Sequence, residues 1–201
     1  MISRRAGAIN AEGFFMTVVS FAEQIGDTIV VHVSTTGTVS SVADDAGNPF
    51  SLGASKTNGS ITVYTYYSRN IARAGKNIVV HFGGVGAAVA VEAYTGVSAI
   101  GNSSSNSGTG ESASVSVTTQ DANNVVAATA GALSSTGVLD TKWSASSPNE
   151  IFDQDVLADN TKTLSIAALD GGTVATPGTD TVAASINSSS TWAMTAIELR
   201  S

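Results

Sequence analysis

Apolar and polar residues alternate with a period of two along most of this chain. In Asp27-Thr28-Ile29-Val30-Val31-His32-Val33, residues Ile29, Val31 and Val33 fall on one face and Thr28 and His32 on the other, as in a half-buried strand. Asn77-Ile78-Val79-Val80-His81-Phe82 repeats the arrangement with Ile78, Val80 and Phe82 inward, so both histidines are expected to point outward. Ser114-Val115-Ser116-Val117-Thr118 and Thr163-Leu164-Ser165-Ile166 alternate strictly, and the stretch 181–186 does so more weakly. The runs 87–91 and 192–197 are apolar on both faces, which predicts central strands. The run from Phe14 to Phe21 is short and meets Glu23-Gln24, which predicts a buried strand and not the core of a signal peptide.

Turn signals separate these runs. Asp44-Asp45-Ala46-Gly47-Asn48-Pro49 supplies a side-chain acceptor, a glycine able to adopt positive φ and a proline that cannot extend a ladder. Gly83-Gly84-Val85-Gly86 predicts a hairpin, and Asp121-Ala122-Asn123-Asn124 and Asp170-Gly171-Gly172 predict further turns. No stretch repeats apolar residues at helical spacing over three turns. The expected fold is therefore all-β: an antiparallel two-sheet sandwich, jelly-roll or Ig-like, of ten or more short strands. Residues 1–13 are expected to form an extended N-terminal arm and 14–201 a single sandwich domain. The Gly/Ser/Asn-rich stretch 101–110 is read as a long loop within that domain, with a boundary between two domains as the alternative.

Composition narrows the function. Of 201 residues only 12% are charged, about half of the roughly 25% usual for a soluble domain. Ser and Thr fill the gap, with 28 and 23 copies. The absence of Cys excludes thiol catalysis, disulfides and sulfur-ligated zinc. A net charge of -7, with nine Lys and Arg scattered along the chain, argues against binding a phosphate backbone. No segment approaches the roughly 20 apolar residues of a membrane-spanning helix. Arg4-Arg5 lacks the apolar run that a twin-arginine signal needs after it, so folding in the cytoplasm is expected.

Candidate chemistry is sparse. His32 and His81, the only bases of their kind, sit mid-strand without a nucleophile elbow, and Gly83 to Gly86 lacks the Lys-Ser/Thr of a phosphate loop. None of Glu12, Glu23, Glu92, Glu111, Glu150 and Glu198 stands in a recognisable glycosidase pattern. Asp153-Gln154-Asp155 with Asp159-Asn160 is the densest set of hard oxygen ligands, read as a solvated acidic loop with calcium as the alternative. Tyr64, Tyr66 and Tyr67, with Trp143 beside Lys142, read as core or cross-strand aromatics, with sugar stacking as the alternative. No catalytic, cofactor-binding or metal-binding residue is assigned, and no enzyme activity is expected.

Three segments resemble a β-sandwich family found in bacteriophage structural proteins and bacterial surface proteins. They are Gly26 to Val31 leading to Val42-Ala43-Asp44-Asp45-Ala46-Gly47-Asn48-Pro49-Phe50, then Val91-Glu92-Ala93-Tyr94-Thr95-Gly96-Val97, and the closing Ser190 to Glu198. The resemblance carries no active-site residues. With no signal segment recognised, it implies a structural protein of a virion, made in the host cytoplasm. The role would be to decorate or cement a capsid, with copies of itself and the major capsid protein as partners. The alternative is an extracellular carbohydrate-binding or adhesive module of a tail, fibre or bacterial surface protein.

Overall fold

The computed structural model describes residues 1–11, 14–134, 144–147, 149–159 and 162–201. The described residues form fourteen strands and no helix: β1 (Ser3–Ala11), β2 (Phe14–Ser20), β3 (Thr28–Thr35), β4 (Thr38–Asp44), β5 (Ser51–Asn58), β6 (Ile61–Ser68), β7 (Asn77–Val85), β8 (Ala87–Thr95), β9 (Ala99–Thr119), β10 (Asn124–Ser134), β11 (Ser144–Ser147), β12 (Asn149–Asp159), β13 (Lys162–Val174) and β14 (Gly178–Arg200). All pairings are antiparallel and build three sheets. These are a five-stranded sheet β1-β8-β3-β6-β5, a three-stranded sheet β2-β7-β4, and a six-stranded sheet β11-β14-β10-β13-β12 with β9 on β14.

The expected antiparallel sandwich is present, stacked from three sheets. Ile29, Val31 and Val33 pack with Val19, Ile78, Val80 and Phe82 of the three-stranded sheet. The opposite face of β3 sends Val30 against Val125, Ala127, Ile197 and Leu199 of the six-stranded sheet. Ala88 and Ala90 of β8 meet Ile166 and Ala168, and Ile61 and Val63 of β6 meet Leu164 and Ala193. The centre of the five-stranded sheet is thus buried on both faces, and every residue of β3 is buried. His32, expected to point to solvent, is fully buried for this reason, while His81 is exposed. An alternating strand reads as half-exposed only if one of its faces meets water.

The two longest strands add a fourth tier. The ladder between β9 and β14 shifts register between Ser185 and Ser190, which divides each strand into two paired segments. Val115, Val117, Val182, Ala184 and Ile186, from one pair of segments, cluster with Val126, Ala128, Ala130, Trp192 and Met194, so this ribbon folds over the outer face of the six-stranded sheet.

Several local expectations are corrected. The polar stretch 101–110 is not a loop: it lies within β9, and its residues 103–110 pair with β14 from Ile197 back to Ser190. Its small side chains suit an edge against a bulky neighbour, because a Cβ at Gly108 would lie 2.6 Å from Cζ2 of Trp192. Gly83 to Gly86 is not a hairpin, since β7 and β8 belong to different sheets. Asp170-Gly171-Gly172 lies inside β13, where the register against β10 shifts. Residues 3–11, read from sequence as part of an arm preceding the sandwich, form strand β1 of the five-stranded sheet, paired with β8.

Candidate functional site

The period-two alternation of β3, β8, β6, β10 and β14 brings polar residues together where the five- and six-stranded sheets face each other. His32 Nδ1 lies 2.7 Å from Thr129 Oγ1, and His32 Nε2 lies 3.0 Å from Glu92 Oε2. Thr65 Oγ1 links Thr129 at 2.7 Å to Thr195 at 2.8 Å. Arg4 Nε approaches Glu92 Oε1 at 3.1 Å, and the Tyr94 hydroxyl donates to Glu92 Oε2 at 2.9 Å. His32, Glu92, Tyr94, Thr65, Thr129 and Thr195 are all fully buried. With Nε2–H donating to Glu92, one direction satisfies the row: Thr195 donates to Thr65, Thr65 to Thr129, and Thr129 to Nδ1.

A hydroxyl, an imidazole and a carboxylate in sequence form the arrangement of a nucleophilic relay. Here it is sealed between two sheets, where it pairs His32, Thr65, Thr129 and Thr195 across the interface. Burial holds the Tyr94 hydroxyl well above its ordinary pKa, with the Glu92 carboxylate adding to the effect, so it stays a donor. Burial also raises Asp170, whose Oδ1 accepts from Gly172 N at 2.6 Å and which feels Glu92 as a like charge.

Two further carboxylates are structural anchors. Glu198 is fully buried and accepts from Asn102 N at 2.9 Å, Gln120 N at 2.7 Å and Asn124 Nδ2 at 2.5 Å, joining both ends of β9 to β10 and β14. Glu23 is only 4% exposed and accepts from Gly75 N at 2.9 Å. Its pKa is raised from 4.5 to about 7, chiefly by burial and further by Asp44 and Asp45, against the lowering effect of Gly75 N–H. Among the cations, Arg5 bonds Asp27 Oδ2 at 2.9 Å through Nε and at 2.5 Å through Nη2, and Arg200 grips Asp121.

The candidate residues read from sequence do not gather. Tyr64 and Tyr66 stack with ring centroids 5.9 Å apart against the three-stranded-sheet side, whereas Tyr67 faces the opposite cluster with Val30 and Leu199, so the three share no platform. Lys142, Trp143, Asn160 and Glu12 lie outside the described residues. The acidic segment expected as a loop is strand β12, with Asp153 paired to Ala167 and Asp155 to Ser165. Among the described residues no group of three or more His, Cys, Asp or Glu is placed to hold a metal ion. No helix among them is long and apolar enough to cross a membrane.

A solvent-open groove of about 390 Å³ lies between the β5–β6 turn and the strand ends near Thr191. Ser60, Thr109, Ser134, Ser190 and Thr191 line it with hydroxyl-bearing side chains, and Lys162 contributes the one charged group. Sequence reading did not single out this groove, because its residues come from five separate polar stretches that only the fold assembles.

A search of family models, of curated proteins and of solved structures finds no match to this chain.

Proposed function

We propose that this protein is a non-catalytic structural subunit of a particle, a bacteriophage capsid-decorating or cementing protein, in keeping with the resemblance of its strand and turn segments. The observation that carries the reading is the outer face of the three-stranded sheet. Val19, Ile78, Val80 and Phe82 point inward there, which leaves Met16, Val18, Val79, His81, Ser41 and Ala43 on the other side. That face has no Asp, Glu, Lys or Arg among these residues, and Met16 and Val18 are 45% and 37% exposed. Three strands spaced about 4.8 Å apart and some seven residues long cover roughly 300 Å². A stable pairwise interface needs about 800 Å² per partner, so such a face is too small to hold one partner tightly and suits contacts repeated across a lattice. A subunit that binds only the assembled state stabilises that state by mass action.

Sedimentation and imaging of purified particles from the native source test this reading. The protein should co-sediment with particles at fixed stoichiometry. A chain that stays monomeric and is missing from every particle fraction overturns it.

The groove beside Lys162 favours a second reading, a carbohydrate-binding or adhesive module, because clustered hydroxyls at an open surface match the hydrogen-bonding pattern of a sugar. A glycan array probed with wild type and with Ser190→Trp separates the two readings: binding that the bulky variant abolishes supports the module.

A further inference from the structure

We propose that the buried Glu23 carries a proton directed at the half-buried Asp44, which fastens the three connections at one end of the molecule and loosens them when the proton leaves.

The connections are residues 21–27 between β2 and β3, 45–50 between β4 and β5, and 69–76 between β6 and β7. Asn48 is their hub. Its Nδ2 donates to Asp44 Oδ2 at 2.5 Å, to the Arg73 carbonyl at 2.7 Å and to Glu23 Oε2 at 3.4 Å, and its Oδ1 accepts from Ala72 N and Arg73 N. Glu23 closes the ring: its backbone N donates to the Gly75 carbonyl at 3.1 Å, and Gly75 N donates back to its Oε2. A Cβ at Gly75 would sit 2.9 Å from Glu23 Oε2 and 2.7 Å from Asp45 Oδ1, so the backbone approaches two carboxylates at once.

One atom in this ring has no partner. Glu23 Oε1 is buried without a hydrogen bond, on a carboxylate that shares the Asn48 Nδ2 donor with Asp44. Asp44 is already saturated on Oδ1 by the N–H groups of Ala46, Gly47 and Asn48. Two bare carboxylates in such a place repel, whereas a proton on Oε1 turns the orphan acceptor into a donor toward Asp44. The other charged groups offer no alternative neutralisation. Asp45 is a third negative charge, bound to Lys76 N and Asn77 Nδ2. Arg73 and Lys76 meet the ring through backbone atoms. Arg5 and Asp27, on the same side, are bonded to each other.

The folded protein therefore holds this proton more tightly than the unfolded chain does. The stabilisation it brings is complete below the unfolded carboxyl's pKa of 4.5 and is lost as pH rises through about 7. The fastening should be strongest in mild acid and weaken through neutrality.

Carboxyl titration by ¹³C NMR, together with amide exchange corrected for intrinsic rate, tests the proposal on the full chain. Glu23 should titrate between about pH 6 and 8, and Gly75 N–H should lose about tenfold protection across that window, as expected when one pKa unit is a tenfold effect. Glu23→Gln, which keeps both the acceptor and a donor, should abolish the pH dependence and leave Gly75 protected. Glu23 titrating below pH 5 in the wild type, a measurement that needs no variant, overturns the proposal. So does pH-dependent protection that survives in Glu23→Gln. Calcium chloride restoring protection at pH 8 would show a metal ion and not a proton between the carboxylates, and would overturn it as well.

Discussion

His32 and Thr129 stand 97 positions apart in sequence and meet at 2.7 Å in the dry space between two sheets. Thr129 is the one polar residue on an otherwise apolar face of β10, and His32 shares its face of β3 with Thr28, Val30 and Ser34. Their contact, continued to Glu92 on one side and Thr65 on the other, sets how the sheets register against one another.

That contact should be visible in stability. Thr129→Val removes one hydroxyl, strands the buried His32 Nδ1 and leaves Thr65 Oγ1 with Thr195 alone, at a cost of about 1 to 3 kcal/mol. His32→Leu with Thr129→Val should cost clearly less than the sum of the two single changes, because the second change removes a group the first had already stranded. Urea unfolding of the four proteins measures this; strict additivity would show that the two side chains do not depend on each other.

Trp192 is 7% exposed and packs in one cluster with Met194, Val182 and Ile186, where β14 folds back over its own sheet. Trp192→Ala should lower stability by roughly 3 to 5 kcal/mol. A loss below about 1 kcal/mol in denaturant titration would mean that the folded-over ribbon is not a packed layer.

Asp170 should behave against the habit of a surface carboxylate. Burial raises its pKa, with Glu92 adding repulsion, so its folded form prefers the proton and its ionisation costs stability as pH rises. Asp170→Asn retains the Oδ1 that accepts from Gly172 N and removes the charge. The variant should match or exceed wild-type melting temperature at pH 8 and lose that advantage near pH 4. A variant less stable than wild type at pH 8 would mean that the ionised carboxylate is favoured in the fold.

Met16→Lys and Val18→Lys place charge on the outer face of the three-stranded sheet without touching the core. Each should change folding stability by less than about 0.5 kcal/mol. The double variant should be depleted from particles by tenfold or more if this face is the contact. Unchanged particle occupancy, measured by quantitative immunoblot of sedimented material, would move the contact elsewhere.

Much of the strand pattern could be read directly. Val115 and Val117 are buried and their polar neighbours are not, as alternation requires, and the doubly apolar runs at 87–91 and 192–197 are central strands. The Asp44 turn forms as its residues dictate, with one carboxylate oxygen accepting three successive N–H groups. The misreadings share one cause. A polar residue at an alternate position looks solvent-facing, as His32 does; a third sheet on that side makes the same face interior, where only a partner can satisfy it. The polar stretch 101–110 has no periodicity of its own and is a strand because β14 offers it a ladder.

By itself the order of side chains determined that the chain is made of extended segments, since period-two alternation and turn residues act over a few positions. How many sheets those segments build, which faces become interior, and which carboxylates end in dry company were decided by contacts between residues 50 to 130 places apart. Such contacts follow from the global competition to bury apolar surface while leaving no polar group unmatched, and that competition has no local signature.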